Sequence, residues 1–169
     1  AEDSTGKNAL YYALAYGTHF IVSQIAKMPS FLYEISSPKV LIPIVQNPEA
    51  ASLFSSIIHL IDLSATRSCD ERGMTLLSIA AEHNNRQIVD QLLILGIDPK
   101  KPANNGRNSI HICAANNVIG CSTLIIKFLL LTKGSDIVNQ VLNSPDDRGN
   151  LPIHISARNG FSGFVSHLL

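Results

Sequence analysis

The chain has 169 residues, room for one domain of ordinary size. Apolar residues make up 46% and charged residues 15%, which excludes a disordered chain, since that apolar content can offset the entropy of ordering. Thirteen Lys and Arg balance thirteen Asp and Glu, so net charge gives no support to gripping phosphate backbones or a membrane surface.

Taken in chain order, the sequence shows a recurring unit. Gly6 opens Gly6-Lys-Asn-Ala-Leu10-Tyr11-Tyr12-Ala13-Leu14. A weak second copy has Val40 in the glycine place and Pro43 at the position that matches Pro152 in the last copy. There Asn47-Pro48-Glu49 reads as a helix start. Leu53, Phe54, Ile57, Ile58 and Ile61 follow at helical spacing, predicting a helix over 48–63 and an irregular partner helix over 38–46. The third copy runs from Asp70 through Gly73, Thr75 and the small pair Ala80-Ala81, then Ile88-Val89 and Leu92-Leu93. The fourth opens at Gly106 with Ile110-His111-Ile112-Cys113-Ala114. The fifth runs from Asp146 through Gly149, Pro152, His154, Ser156-Ala157 and Phe164-Val165 to Leu168-Leu169.

The anchors fall at 6, 40, 73, 106 and 149, so the last gap is 43 residues where the others are 33 or 34. The fourth copy therefore carries an insertion. Its second helix is predicted long and displaced, over 120–132, with a further short helix over 135–142 before Asp146. An insertion of this kind maps to a loop on one face of an array, sometimes the binding face.

Each copy reads as turn, short helix, tight turn, longer helix. The D-x-x-G segment suits a turn in which glycine takes a positive φ. Thr75 or Ser109 can cap the helix that follows, a contribution of about 1 kcal/mol, and Pro152 suits a first helical turn. Small residues such as Ala80, Ala81, Cys113 and Ala114 let helices approach closely. No copy can bury its apolar face alone, so neighbours must stack in a row.

A period near 33 with these residues resembles the ankyrin repeat, whose pattern includes T-P-L-H-x-A. The resemblance spans essentially the whole chain: it is strong at 73 and 149, good at 106, fair at 6 and poor at 40. It implies an all-α, ankyrin-type solenoid of helix-turn-helix repeats in one domain, with units near 3–36, 37–69, 70–102, 103–145 with the insertion, and an incomplete 146–169. It also implies that His111 and His154, at the motif histidine, tie neighbouring turns by hydrogen bonds; Tyr11 and Ser78 take the same place in other units.

The resemblance further implies a protein-interaction module that binds a partner through turn tips and the exposed face of each first helix. The matching positions are Tyr16 in the first unit and Glu71, Arg72, Met74, Glu82 and His83 in the third. They continue with Asn105, Arg107 and Asn116 in the fourth and Asp147, Arg148, Asn150 and Arg158 in the fifth. Arginine beside an exposed apolar residue such as Met74 or Tyr16 is the kind of group enriched at interface hot spots.

Other chemistry finds little footing. Cys69, Cys113 and Cys121 are odd in number, no N-x-[ST] or C-x-x-C occurs, and this pattern points to reduced thiols in an intracellular setting. Cys113 neighbours His111 but on another helical face, so a Cys/His nucleophile pair is not expected. No phosphate-loop, dinucleotide or zinc-protease motif is present. No catalytic role, cofactor, metal, nucleic acid or membrane insertion is expected, and the apolar runs are short of the ~20 residues a membrane span needs. Asp98-Pro99-Lys100-Lys101-Pro102 reads as a solvated loop. The ends, opening on a turn motif and stopping inside an apolar helix, point to a piece of a larger protein, and a monomer is expected. Alternatives are the targeting arm of an enzyme such as a pathogen effector, or the cytosolic segment of a membrane channel.

Overall fold

The computed structural model describes residues 9–25, 27–28, 35–61 and 64–169. Within them run eleven α-helices: α1 Ala9–Tyr16, α2 His19–Ile25, α3 Pro38–Gln46, α4 Ala51–Ile57, α5 Leu76–Glu82, α6 Arg86–Ile94, α7 Ser109–Asn116, α8 Ile119–Lys133, α9 Ser135–Leu142, α10 Pro152–Arg158 and α11 Ser162–Leu168. Short 3-10 turns cover Pro48–Ala50, Ile58–Leu60 and Ala65–Arg67. The turn motif at Gly6 lies outside the described residues.

The helices form two rows. In one, α1 packs on α3, α3 on α5, α5 on α7 and α7 on α10. In the other, α4 packs on α6 and α6 on α8. The rows are joined within pairs: α1 with α2, α3 with α4, α5 with α6, α7 with α8, α10 with α11. The core is correspondingly one continuous strip, from Leu41, Ile44 and Phe54 through Leu76, Ile79, Ile88 and Leu92 to Cys113, Ile125 and Phe164, all fully or nearly fully buried. Burying each large apolar side chain contributes roughly 1.5–3 kcal/mol, and the burial is shared between the partner helix of the same pair and the neighbouring pairs.

The turns explain why pairs stack at a fixed distance. Gly73 and Gly106 have φ of 72° and 75°. A β-carbon on Gly73 would lie 2.2 Å from the Asn104 side chain, and one on Gly106 would lie 2.4 Å from Asp147. Glycine is therefore needed twice over, for its backbone and for the next turn pressed against it. Backbone bonds join the turns directly: the Asn104 N–H donates to the Arg72 carbonyl at 2.9 Å and the Asp147 N–H to that of Asn105 at 3.2 Å.

The third and fifth units follow the sequence closely. Thr75 caps α5, accepting from the Ser78 N–H at 3.2 Å, and Pro152 opens α10. In the fourth unit the cap is Asn108, not Ser109. Asn108 Oδ1 accepts from the Ile110 and His111 N–H groups at 3.0 and 3.1 Å, while its amide donates to Val141 O and Ser144 Oγ at 3.0 and 2.9 Å. Ser109 instead lies one step inside the helix, fully buried, 3.2 Å from Ser78 Oγ of the preceding unit.

The second unit departs from the sequence reading. The first helices begin at 9, 38, 76, 109 and 152, three residues after the glycine anchors wherever one exists. The corresponding position in the second unit is Ile35. Val40 is inside α3 and 1% exposed, so it does not occupy a turn. Two prolines compete for the first helical turn; Pro38 takes it, capped by Ser37, and Pro43 is accommodated within α3. That helix is regular where irregularity was expected. Of the segment expected as one helix over 48–63, the described residues are helical from Pro48 to Leu60, as α4 between two 3-10 turns, and the backbone leaves the helix at Ile61; residues 62–63 lie outside the described residues. The insertion behaves as the spacing predicts: α8 covers 119–133 and α9 covers 135–142.

Replacing Asn108 by Ala should cost about 2–3 kcal/mol, because it removes a cap and leaves the Val141 carbonyl unpaired. Ser109→Ala should cost about 1 kcal/mol. Urea unfolding of the two variants tests the assignment; an equal or reversed order of midpoints would contradict it.

Candidate functional site

The thirteen residues expected on the partner-facing ladder divide into three groups by what the fold does with them. Arg72, Glu82, Asn105, Arg107 and Asn116, with Met74, line one hollow of about 450 Å³ between the third and fourth units. Asp147 and Arg148 join Asn105 and Arg107 around a second hollow of about 420 Å³ at the turn tips. Tyr16, Glu71, His83, Asn150 and Arg158 line neither, and Glu71 is exposed.

Arg72 projects from the third turn and lays its guanidinium across Glu82 in a two-pronged contact, with Nη1 and Nη2 at 3.0 and 2.8 Å from the two carboxylate oxygens. Its Nε donates to Asp70 Oδ2 at 2.8 Å. The Glu82 hydrogen bond, followed by those of Asp70, holds the Arg72 pKa above its ordinary value against the opposing effect of burial. The side chain is still half exposed, so the pair orients the guanidinium while adding little stability.

Arg107 is held across units. Its Nε donates to Asp146 Oδ2 at 3.2 Å, and the Asp146 side chain is only 2% exposed. Burial pushes the Asp146 pKa up, but the Asn150 and Arg148 N–H groups, the Asn150 amide and Arg107 outweigh it and lower the pKa to about 2. Asp146 Oδ1 accepts from Arg148 N at 3.0 Å and Asn150 N at 2.8 Å, so this carboxylate folds the turn as well as anchoring Arg107. Asp70 plays the same part in the third unit, accepting from Arg72 N and Met74 N at 2.9 and 2.8 Å.

Met74 does not match its expected exposure. It is 3% exposed. With its N–H bound to Asp70 and its carbonyl accepting from the Asp70 N–H at 3.0 Å, the residue after the glycine turns inward and joins the core. The only expected apolar anchor with an open ring is Tyr16, 75% exposed and stacked on Tyr12 with ring centroids 6.3 Å apart. Asn150 and Arg107 are likewise half-buried and serve the turn. Arg148, Arg158, Asp147 and Asn105 are exposed. His83 is exposed and 3.0 Å from the Ile79 carbonyl through Nδ1. Asn116 donates to the Ile112 carbonyl at 2.9 Å.

Sequence reasoning omitted Ile112 and Ala103, which supply the apolar floor of the first hollow. Their signal was hidden, since both are apolar residues that read as plain core.

His111 ties the turns as the motif implies. Its Nε2 lies 3.0 Å from the Asn150 carbonyl of the next unit, and its Nδ1 accepts from the Asn108 N–H at 3.3 Å. A carbonyl can only accept, so Nε2 carries a proton; Nδ1 faces both the Asn108 N–H and, at 2.9 Å, the Asn108 Oδ1, and burial, which lowers the pKa, favours the neutral ring. His154 makes the local half of this arrangement, accepting from the Leu151 N–H at 3.2 Å. Burial also acts on Cys113 and Cys121. It raises the Cys113 pKa strongly, and that of Cys121 to about 11 with Arg86 partly offsetting it, so both are thiols at neutral pH and not thiolate nucleophiles. No cluster of three or more His, Cys, Asp or Glu suited to a metal ion occurs among the described residues. No described helix is long and apolar enough to cross a membrane.

Two rows of helices, joined by turns that bond to the next turn, define a stacked-repeat binding scaffold. A family model of ankyrin repeats, in three copies, matches residues 45–141, and the chain belongs to the ankyrin-repeat family.

Burial lowers the His111 pKa below its ordinary 6.5 despite the Asn150 carbonyl and Asp146, which favour the charged ring. Its stabilising effect is therefore complete above about pH 6.5 and is lost as pH falls toward the folded-state value, because only the unfolded chain gains the proton. Asp146 works in a separate window, losing its contribution between about pH 4 and pH 2. Thermal melts from pH 7 to pH 5 should show falling stability, with a shallower fall in His111→Gln. An unchanged slope in that variant would show that His111 does not carry the effect.

Proposed function

We propose that this protein holds a partner protein along the face formed by its turn tips and first helices, centred on the third to fifth units. Ankyrin repeats bind other proteins generally, and the family match makes that the coarse function of this chain. The observation that carries the finer reading is the pair of adjoining hollows. Arg72 and Arg107 are fixed there by carboxylates before any partner arrives, so little side-chain entropy remains to be lost on binding. Around them Asp147 and Arg148 offer solvent-facing charged groups, Asn105 offers its exposed amide while its Oδ1 accepts from the Arg107 N–H at 3.2 Å, and Ile112 and Ala103 offer an apolar floor. Mixed charge over a small apolar centre suits a folded protein surface or a polar loop.

The helix pairs that flank the matched segment extend the same face, which we read as five units acting together in a monomer. The three cysteines are free thiols, which supports an intracellular setting.

Arg72 and Arg107 hold the turns, so reversing their charge would disturb the fold along with the surface. Arg148 and Arg158 are exposed, and R148E/R158E is the cleaner change. A photo-crosslinking amino acid at Asn105 should give a discrete protein adduct in cell lysate that R148E/R158E weakens. The same group at Asp90, exposed on α6, should not. Equal adducts at both positions, or an adduct at Asp90 alone, would contradict the assignment.

A further inference from the structure

The insertion in the fourth unit builds a groove on the opposite row of helices. Second helices α6 and α8 begin at equivalent points, directly after Asn85 and Val118, but α6 has nine residues and α8 has fifteen. Where α6 gives way to a turn at Leu95 and Gly96, α8 continues through residues 128–133, and its extra turns lie beside residues 96–100 of the preceding unit. Between them is a hollow of about 580 Å³. Its floor is apolar, made by Ile97, Pro99, Phe128, Leu129 and Ile137, the last from α9. Leu129, Ile97 and Pro99 are buried, while Phe128 and Ile137 are half-buried and offer open apolar surface. Neither Phe128 nor Ile137 would have this setting without the insertion.

Two exposed ammonium groups, Lys100 and Lys133, flank this floor. A smaller hollow adjoins it, sharing Gly96, Ile97 and Asp98, and is lined by Arg67 and Lys101. The groove and its extension thus hold four cations. Their acidic neighbour is Asp98, and its Oδ1 already accepts from the Lys100 N–H at 3.0 Å. Asp136, next to Ile137, lies in the first turn of α9, where the helix dipole favours it. An apolar floor between cationic rims is complementary to a chain that presents apolar side chains flanked by carboxylates. Such a chain gains from both features. A basic or purely apolar one is repelled or leaves the lysines without partners.

We infer that this groove is a second docking site, which takes an acidic, amphipathic peptide segment of a partner protein. It is separate from the turn-tip face and independent of the function proposed there. The ten-residue insertion and the Asp98–Pro102 loop are then two walls of one site. Lys101 Nζ also contacts Cys69 Sγ at 3.3 Å and the Arg67 carbonyl at 3.5 Å, which draws this end of the loop toward the third unit.

The test is selection of a random peptide display library on the whole chain, with counter-selection on a K100E/K133E variant. Binding is then located by methyl NMR at Ile97, Leu129 and Ile137. The expected result is a class of peptides rich in Asp, Glu, Leu, Ile and Phe. Those peptides should shift these methyls, lose at least about tenfold in affinity to K100E/K133E, and be blocked by Thr132→Trp, which fills the groove without changing its charge and leaves its lysines in place. Arg148→Glu should leave their affinity unchanged. The proposal is overturned if no class sensitive to K100E/K133E emerges or if the selected peptides are basic. It is also overturned if the shifts fall on the turn tips, or if vesicles of phosphatidylserine and phosphatidylcholine bind and compete where the peptides do not.

Discussion

Each helix pair in this protein is too thin to shield its own apolar side, and everything else follows from that shortage. The second helix of the third unit presents Ile88, Val89, Leu92 and Leu93, all fully or nearly fully buried, yet its own pair covers only part of that surface. Neighbours on both sides supply the rest. The core is therefore a strip, and the stability of any one pair is a property of its two contacts. Spacing between pairs must then be constant, which is what the glycine turns enforce by leaving no room for a β-carbon against the next turn.

The polar groups that survive inside this strip hold the pairs in step. Asn47 donates to the Leu14 and Gly17 carbonyls at 2.8 and 2.9 Å, and Asn85 donates to the Asn47 carbonyl at 3.2 Å, linking three units in series. Asn108 and His111 continue the linkage toward the fifth unit by other geometry. Each of these groups is buried and satisfied, so none of them is a loose polar liability. The surface proposed to face a partner inherits its rigidity from the same system, since Asp146 both closes a turn and fixes Arg107 of the unit before.

Much of this was legible in the sequence where local chemistry and the period agreed. Gly73, Thr75 and Ala80-Ala81 mark a turn, a cap and a close helix contact within a dozen residues, and the fourth and fifth units repeat the pattern. The short helix Ser135–Leu142 was legible from its apolar spacing. The second unit was not, because Pro38 and Pro43 both satisfy the rule for a first helical turn and only packing chooses between them. Ser109 was expected as the cap of the fourth unit because serine and asparagine both suit that place, and the neighbouring Asn108 takes it.

The site was legible as a set of positions and less so as a set of exposures. Met74 reads as a surface residue until the Asp70 carboxylate is seen to turn it inward. Arg107 reads as free until Asp146, 39 residues later, is brought to it by stacking. Contacts of that range are set by how one unit sits on the next, which no local motif encodes. The groove beside α8 had the same invisibility: its two walls were noticed separately, one as an insertion and one as a loop.

The central claim is that stability passes between neighbouring pairs and fades with distance along the row. Native-state hydrogen exchange on a Leu92→Ala variant tests this most directly. Protection should fall most in α5, α6, α4 and α8, and least in α10 and α11. An equal loss in every helix would show a single cooperative core, and a loss confined to α6 would show units that stand alone; either would contradict the account.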